Sequence, residues 1–369
     1  MAAGGSRVKA AVLRELGRVE IEEIDDPTPR AGEVKLRMVA TGVCGTDLSV
    51  LHGHLPFPRP IVLGHEGAGV VVETGPGVSA LAIGDPVVCT IVPCCGHCYY
   101  CVHGDTALCA ETVIGTGKML DGTTRLSQRG EPIHSLAYQS SFAEYAIVPE
   151  RAAIRVRKDA PLERLCGLAC GVSTGLGATL LRAEVEAGSS VLVIGAGGVG
   201  LSTLMGARLR GAALRIAVDI VPRKLEKARE LGLATHGIDS TRESLVDAVR
   251  ALTQGRGADA TFDAVGATGT LELALEATRP GGRCVVIGHA RGVVTATIDT
   301  TRLLRQRWLT GTFGGSIVPK RHIPEFVDLY MAGLLDLDAL MDAEYPLDGV
   351  ARALADLEGG RITRAVLRF

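Results

Sequence analysis

The sequence predicts an α/β protein in two parts, a β-rich first part followed by a doubly wound parallel sheet. Three observations carry this reading. The chain of 369 residues exceeds the usual reach of one hydrophobic core, so two domains of roughly 150–200 residues are expected. Up to about position 156 the pattern is one of short apolar strands broken by Gly, Pro and Asp. From about position 161 apolar strands alternate with helical periodicity, which marks βαβ units and hence a parallel sheet covered on both faces.

In the first part, strands are expected at 8–13, 19–24, 34–39, 69–73, 86–92 and 142–148. In the second, strand 191–194 leads into a helix from Val199, strand 216–219 into a helix over 223–231, and strand 260–265 into a helix over 270–278, with a further strand at 284–287. The tail from Pro319 returns to helices at 324–332 and 349–358 and a last strand at 365–369. No internal repeat or low-complexity tract is visible.

Composition narrows the function classes. Forty-seven per cent apolar residues and a net charge of -2 describe an ordinary globular protein and leave no basic excess for releasing counterions from nucleic acid. Residues 1–10 lack an apolar signal-peptide core, and apolar runs such as 191–201 are broken by glycine before they could span a bilayer. A cytoplasmic protein without nucleic-acid or membrane partners is therefore expected. Ten cysteines would be consistent with a disulfide framework, but a large Gly-rich α/β chain is the wrong context for one, and their clustering indicates metal.

Cys95, Cys98, Cys101 and Cys109 read C-x2-C-x2-C-x7-C within one loop, with Gly96 and Gly104 permitting tight turns. Four thiolates at this spacing close a tetrahedral zinc site with no open position, which is a structural site. Cys94 adjoins the run, but using it would break the two-residue spacing to Cys98. Cys89 and Cys284 sit in apolar strand patterns and read as core residues.

A second, dispersed set comprises Cys44, His65 with Glu66, and Cys170. Each is weak alone. Together, two thiolates and one imidazole make a catalytic zinc site whose fourth position is left to water or substrate. Glu66 is then a neighbouring or transient ligand, and Asp47 a hydrogen-bond partner for the ligand histidine.

The third signal is Gly195-Ala-Gly197-Gly198-Val199-Gly200, placed after a strand and opening a helix, with Asp219 ending the next strand about twenty residues later. The glycines let the backbone approach a pyrophosphate at a helix N-terminus, and the acid binds ribose hydroxyls. Asp219 would repel a 2′-phosphate, which favours NAD over NADP. The alternative is that Asp219 merely caps the following turn.

The motifs V-C-G-T-D, G-H-E-G-A-G-V-V, the four-cysteine loop, A-C-G-V-S-T-G, G-A-G-G-V-G, A-V-D-I and F-G-G resemble the zinc-containing medium-chain dehydrogenase/reductase family, specifically its alcohol dehydrogenases, over nearly the whole chain. The resemblance implies a GroES-like catalytic domain from residues 1–171 and 313–369, a Rossmann NAD-binding domain from 172–312, and an active site in the cleft between them. It implies Cys44, His65 and Cys170 as catalytic zinc ligands with Glu66 as their acidic neighbour, and Thr46 as the hydroxyl that meets the substrate. Thr174 and Val199 match contacts near nicotinamide, Asp219 and Lys224 match adenosine-ribose contacts, and Arg364 matches a pyrophosphate contact. Gly45 and Ser49 depart from the pattern: many relatives carry a cation at the first place and a proton-relaying histidine at the second. Ile91, Leu136 and His289 fall where relatives line the substrate channel.

Cys170 separates the chain from the polyol and threonine dehydrogenases, which usually carry Glu-Pro where this chain has Ala169-Cys170. Segment 120–142 looks like that of dimeric class III-like alcohol dehydrogenases, shared in part by bacterial aryl and allylic enzymes. The expectation is a cytoplasmic homodimer, with a homotetramer as the alternative, holding NAD and two zinc ions per chain. It would oxidise a primary, aromatic or allylic, alcohol reversibly to an aldehyde. Rival readings are a formaldehyde dehydrogenase acting on a thiol adduct, a nicotinoprotein that retains its NAD, and a non-catalytic zinc-stabilised homologue.

Overall fold

The computed structural model describes residues 6–112, 114–289 and 292–369. The chain divides into two compact units, Met1–Cys170 with Val318–Phe369, and Gly171–Ile317.

The first unit is built on two sheets. In the larger, the strands lie in the order Ala153–Arg155, Pro86–Cys89, Glu66–Thr74, Glu33–Val43, Ala365–Arg368 and Ala343–Pro346, with Tyr145–Pro149 also on Glu33–Val43. Glu33–Val43 is the hub, pairing antiparallel with Glu66–Thr74, Tyr145–Pro149 and Ala365–Arg368. The C-terminal strand thus completes a sheet begun near the N-terminus.

The smaller sheet runs Arg18–Asp25, Arg7–Glu15, Ile61–Val62, Glu131–Ser135 and Leu126–Gln128. Its strand Arg7–Glu15 is covered on both faces: Ala11 and Leu13 enter the core with Leu51 and Phe142, while Val8, Ala10 and Val12 pack with Ile24 and Ile133. The hairpin Leu126–Gln128/Glu131–Ser135 was not expected from the sequence, because its strands are too short to establish a period and Gly130 and Pro132 read as loop. Its turn residues Arg129 and Gly130 have φ of 53° and 82°, a requirement of type I′ hairpin turns. The Asp25 carboxylate accepts both of their N–H groups, at 3.1 and 3.0 Å, and so holds an arginine in the left-handed region. Just before it, buried Arg125 forks onto both oxygens of Glu33 at 2.7 Å and ties segment 120–142 to the hub strand.

The second unit is a parallel sheet in the order His236–Asp239, Leu214–Asp219, Ser190–Ile194, Ala258–Asp263, Thr278–Val286, Trp308–Gly311. In chain order this is 3-2-1-4-5-6, the doubly wound arrangement with its topological switch point between the first and fourth strands. Val191, Leu192 and Val193 are all fully buried, which explains the continuous apolar run. The edge strands His236–Asp239 and Trp308–Gly311, and helix Leu245–Leu252, escaped the sequence reading. A strand reading His-Gly-Ile-Asp carries no apolar signature.

Helix Pro319–Met331 begins five residues before the expected start at Pro324. Proline suits the first helical position, and the chain offers two; the earlier one opens the helix and Pro324 lies inside it. Among the described residues, no single helix is long and apolar enough to cross a membrane.

Candidate metal and dinucleotide sites

Cys44 leaves the hub strand as the N-cap of helix Gly45–Leu51, and Glu66 opens the neighbouring strand, where it sits opposite Gly42. Cys170 follows the turn Cys166–Ala169. These connections bring the ligating atoms of Cys44, His65, Glu66 and Cys170 within 4.8 Å of one another. His65 Nδ1 lies 3.2 Å from Asp47 Oδ1, which also accepts the Gly64 N–H at 3.1 Å, while Asp47 Oδ2 accepts the Cys44 N–H at 3.0 Å. One buried carboxylate therefore fixes two of the clustered residues. It leaves His65 Nε2 buried without a hydrogen-bond partner among the described residues. An orphaned buried ring nitrogen is costly, and beside two thiols a zinc ion is the group that satisfies it.

The electrostatics agree with a shared ligand. The hydrogen bond between the two thiols pulls Cys44 well below the usual thiol range and pushes Cys170 well above it. Burial works to lower His65, but Asp47 and Cys44 hold it well above the ordinary imidazole value. Burial raises Glu66, opposed by the Arg364 guanidinium that pairs with it. Gly42 makes room for this pair, since a Cβ there would lie 2.1 Å from Glu66 Oε2. Arg364, matched by resemblance to a pyrophosphate contact, is here buried against Glu66 with its Nε unpartnered among the described residues.

Thr46 Oγ1 stands 3.9 Å from Cys44 Sγ. Ser49 Oγ donates to the Gly45 carbonyl at 3.0 Å, one helical turn back. His52 Nε2 lies 2.9 Å from Glu358 Oε1, outside hydrogen-bond alignment.

The four loop cysteines also converge, with all sulfurs within 4.8 Å of one another. Cys95 Sγ and Cys101 Sγ are 3.8 Å apart. A tetrahedron with Zn–S bonds of about 2.3 Å has edges of about 3.8 Å. Backbone N–H groups of His97 and Cys98 point at Cys95 Sγ, at 3.5 and 3.3 Å, and that of Cys95 at Cys109 Sγ, at 3.3 Å. Hydrogen bonds from the Ala110 and Cys101 backbone pull Cys98 down to about 6, whereas burial pushes Cys101 up to about 12. Cys94 stays outside this group. Cys89 and Cys284 are buried, and burial pushes their thiols up to about 12 and about 11, as for inert core residues.

In the second unit, strand Ser190–Ile194 turns at Gly195, with φ of 95°, into helix Gly198–Leu209, whose N-cap is Gly197. A Cβ on Gly200 would lie 1.7 Å from the Gly195 carbonyl oxygen, so this glycine lets helix and strand touch. A Cβ on Gly197 would meet nothing within 4 Å, so that face is open to a ligand. A tight turn, an open face and a close packing contact are what a pyrophosphate cradle requires. Val199 lies in the helix's first turn, and Thr174 in helix Gly171–Gly177. Asp219 Oδ2 accepts the Ala196 N–H at 2.9 Å, Oδ1 accepts that of Val221 at 3.0 Å, and Lys224 Nζ lies 3.8 Å away. The acid thus caps its own turn and braces the glycine turn.

The sequence reading missed the support behind His65 and Glu66. Ala137, Tyr138 and Ser140 have φ of 50°, 62° and 49°, a left-handed stretch with no glycine to announce it. Within it Gln139 Oε1 accepts the Gly67 N–H at 3.1 Å, and Ser140 Oγ donates to the Val62 carbonyl at 2.8 Å. Leu136, expected along a substrate channel, is 2% exposed in the core with Leu63 and Phe142, leaving half-buried Ile91 as the member of that pair with surface to offer. His289 is exposed on the second unit.

Residues 30–158 match the family model described as alcohol dehydrogenase GroES-like domain, and residues 198–332 the one described as zinc-binding dehydrogenase. The chain is 38% identical to the class-3 alcohol dehydrogenase of Myxine glutinosa over 98% of this chain and 97% of that protein. It is 37% identical to the S-(hydroxymethyl)glutathione dehydrogenase of Paracoccus denitrificans over 98% and 100%. The crystal structure of benzyl alcohol dehydrogenase from Acinetobacter calcoaceticus superposes with a TM-score of 0.93 at 36% identity, covering 99% of both chains.

Proposed function

We propose, for a chain that belongs to the zinc-containing alcohol dehydrogenase family, the reversible NAD-dependent oxidation of benzylic or allylic primary alcohols to aldehydes. Zinc and a nicotinamide dinucleotide are the cofactors of this family, and both sets of ligand-like residues are present. The observation that carries the reading is His65, whose buried Nε2 has no well-formed hydrogen bond among the described residues and whose ligating atom lies within 4.8 Å of the Cys44 and Cys170 thiols.

Cys44, His65 and Cys170 would hold the catalytic zinc, and Cys95, Cys98, Cys101 and Cys109 the structural one. Bound at these places, zinc supplies the Lewis acidity that lowers the pKa of an alcohol, and nicotinamide the hydride acceptor. Thr46 Oγ1, beside Cys44, accepts the alcohol's hydrogen bond and starts its proton outward. Asp47 keeps the proton of His65 on Nδ1. Gly197 admits the pyrophosphate to the helix N-terminus, while Asp219 and Lys224 face the adenosine ribose. The acid favours NAD over its phosphorylated form.

Preference for bulky aromatic substrates is supported by the benzyl alcohol dehydrogenase likeness and by an aliphatic side chain, Ile91, at the half-buried position. The second reading, oxidation of a formaldehyde–thiol adduct, draws on the Paracoccus relative. We place the protein in the cytoplasm as a homodimer. The edge strand Trp308–Gly311, which pairs on one side only among the described residues and whose Trp308 is 64% exposed, supports self-association.

Metal analysis combined with a substrate panel tests the assignment. Two zinc ions per chain are expected, with kcat/KM for benzyl or cinnamyl alcohol above those for ethanol and for formaldehyde with glutathione. Cys44→Ser should abolish turnover with the fold intact, and Cys98→Ser should lower stability first. One zinc in fully active protein, or a preference for the glutathione adduct, overturns it.

A further inference from the structure

The parallel register of the second unit gathers the beginnings of its strands at one edge, opposite the end from which the glycine turn at 195–200 emerges. At that first edge, where strands Thr278–Val286 and Trp308–Gly311 begin, lies a cavity of about 680 Å³. This is within the roughly 300–1,000 Å³ range of small-molecule sites. Its walls carry Arg250, Arg256, Arg279, Arg302, Arg305 and Arg307. Such crowding is unexpected in a chain whose net charge is -2.

Three carboxylates answer part of this charge. Glu276 pairs with Arg250 at 2.8 Å and also with Arg302, Asp299 stands 3.8 Å from Arg302, and Asp259 holds Arg279 at 2.5 Å. The ends of helices Leu245–Leu252 and Thr270–Ala277 lie beside the wall residues Arg250 and Glu276, and their carbonyl poles offset some of the repulsion. Arg256, Arg305 and Arg307 have no carboxylate partner among the described residues. Arg307 is anchored by backbone alone, donating to the Thr278 carbonyl at 2.8 Å and more weakly to that of Arg302 at 3.4 Å. Among the described residues the Arg256 guanidinium reaches only the side-chain oxygen of Gln254, at 3.3 Å. Burial and the neighbouring charge of Arg302 lower the pKa of Arg307, opposed by Glu276 and reinforced by Arg305 and Arg250.

We propose that this cavity binds a small oligophosphate, the triphosphate of a nucleotide or inorganic tripolyphosphate, on the guanidiniums of Arg256, Arg305 and Arg307. Three cations without a direct carboxylate pair among the described residues, on two separate segments, fit a ligand with several linked anionic centres better than a single phosphate. Planar guanidiniums grip phosphate oxygens in pairs. The cavity has no aromatic wall on which a base could stack, so recognition runs through the phosphates. Its concavity favours a compact anion over the extended stripe that nucleic acid needs.

The test uses the zinc-loaded enzyme saturated with NADH, which blocks phosphate binding at the glycine turn. Calorimetric titration with inorganic tripolyphosphate should give one site per chain, weakening as salt rises. Arg256→Ala with Arg305→Ala, both exposed positions, should weaken it at least tenfold without changing NADH affinity, alcohol turnover or Tm. Arg305→Ala alone should weaken it by a smaller factor. Equal affinity for ATP and tripolyphosphate identifies the phosphate chain as the determinant, and tighter ATP binding identifies a nucleotide as its source. Absence of binding, displacement by NADH, indifference to the double variant, or binding of heparin or RNA without tripolyphosphate overturns the proposal.

Discussion

Asp47 binds His65 through one carboxylate oxygen, at 3.2 Å, and the Cys44 backbone through the other, at 3.0 Å, so a single fully buried side chain orients two of the residues proposed to hold the catalytic zinc. Asp47→Asn keeps the volume but turns one oxygen into a donor, which must then face an N–H. Zinc affinity at the Cys44, His65 and Cys170 set should fall about 10–100-fold, the usual cost of losing such a partner. Chelator competition read against the four-cysteine site, which should hold its zinc unchanged, checks this. Equal loss from both sites would mean a general weakening of the fold and would defeat the argument.

Two glycines of one turn separate packing from binding. Gly200 lies against the Gly195 carbonyl, where an added Cβ would stand 1.7 Å away, while the space beside Gly197 is empty of protein to 4 Å. Gly200→Ala should lower the Tm of the whole chain, because helix Gly198–Leu209 must move off its strand. Gly197→Ala should leave Tm unchanged and weaken NADH at least tenfold by filling the face a pyrophosphate approaches. Thermal unfolding and fluorescence titration of both variants decide it. Tight NADH binding by Gly197→Ala would remove that face from the cofactor site.

This division also explains what could be read from the sequence. Gly195, Gly197 and Gly200 were legible because each answers a local backbone demand at fixed spacing. The convergence of the four-cysteine loop was legible because its sulfurs are close in sequence. The Glu66–Arg364 pair was not, because strand pairing across nearly the whole chain brings those residues together. Nothing in the local sequence announces that Gly42 must make room for it. The left-handed residues Ala137, Tyr138 and Ser140 were equally hidden, since ordinary side chains give no sign of positive φ. The short edge strands failed for another reason: at four residues, His236–Asp239 is held by the neighbour it pairs with, not by its own pattern.

His322 supplies a pH dependence of stability. Its Nδ1 accepts the Val318 N–H at 2.8 Å, capping helix Pro319–Met331, and burial lowers its pKa below 6.5; nearby Glu325 raises it and Arg321 lowers it further. The folded state therefore takes up this proton less readily than the unfolded one. The contribution is fully present above about pH 6.5 and is lost as pH falls below that value, where the unfolded chain binds more protons. Urea unfolding from pH 5 to 8 should show stability rising with pH through this window. The slope should shrink in His322→Gln, whose amide oxygen can accept the same N–H without titrating. An unchanged slope would assign it to other groups.

If Thr46 receives the alcohol proton, as proposed, the onward path is set by what occupies the turn after it. Ser49 Oγ donates to the Gly45 carbonyl at 3.0 Å, so its hydrogen is committed to the helix, and a hydroxyl has no titration near neutrality. His52 ends the same helix with Nε2 2.9 Å from Glu358 Oε1, directed at another helix of the first unit. Neither arrangement supplies a base beside Thr46, so proton release should pass to water. Alcohol oxidation should then climb into the alkaline range with no break belonging to position 49. Ser49→Ala should keep kcat within about twofold, since it removes no relay group. Ser49→His should raise the rate near neutral pH by introducing an imidazole that titrates there. His52→Gln should leave the neutral-pH rate unchanged. If it removes that rate instead, the proton runs through His52 and Glu358, and the water route is wrong.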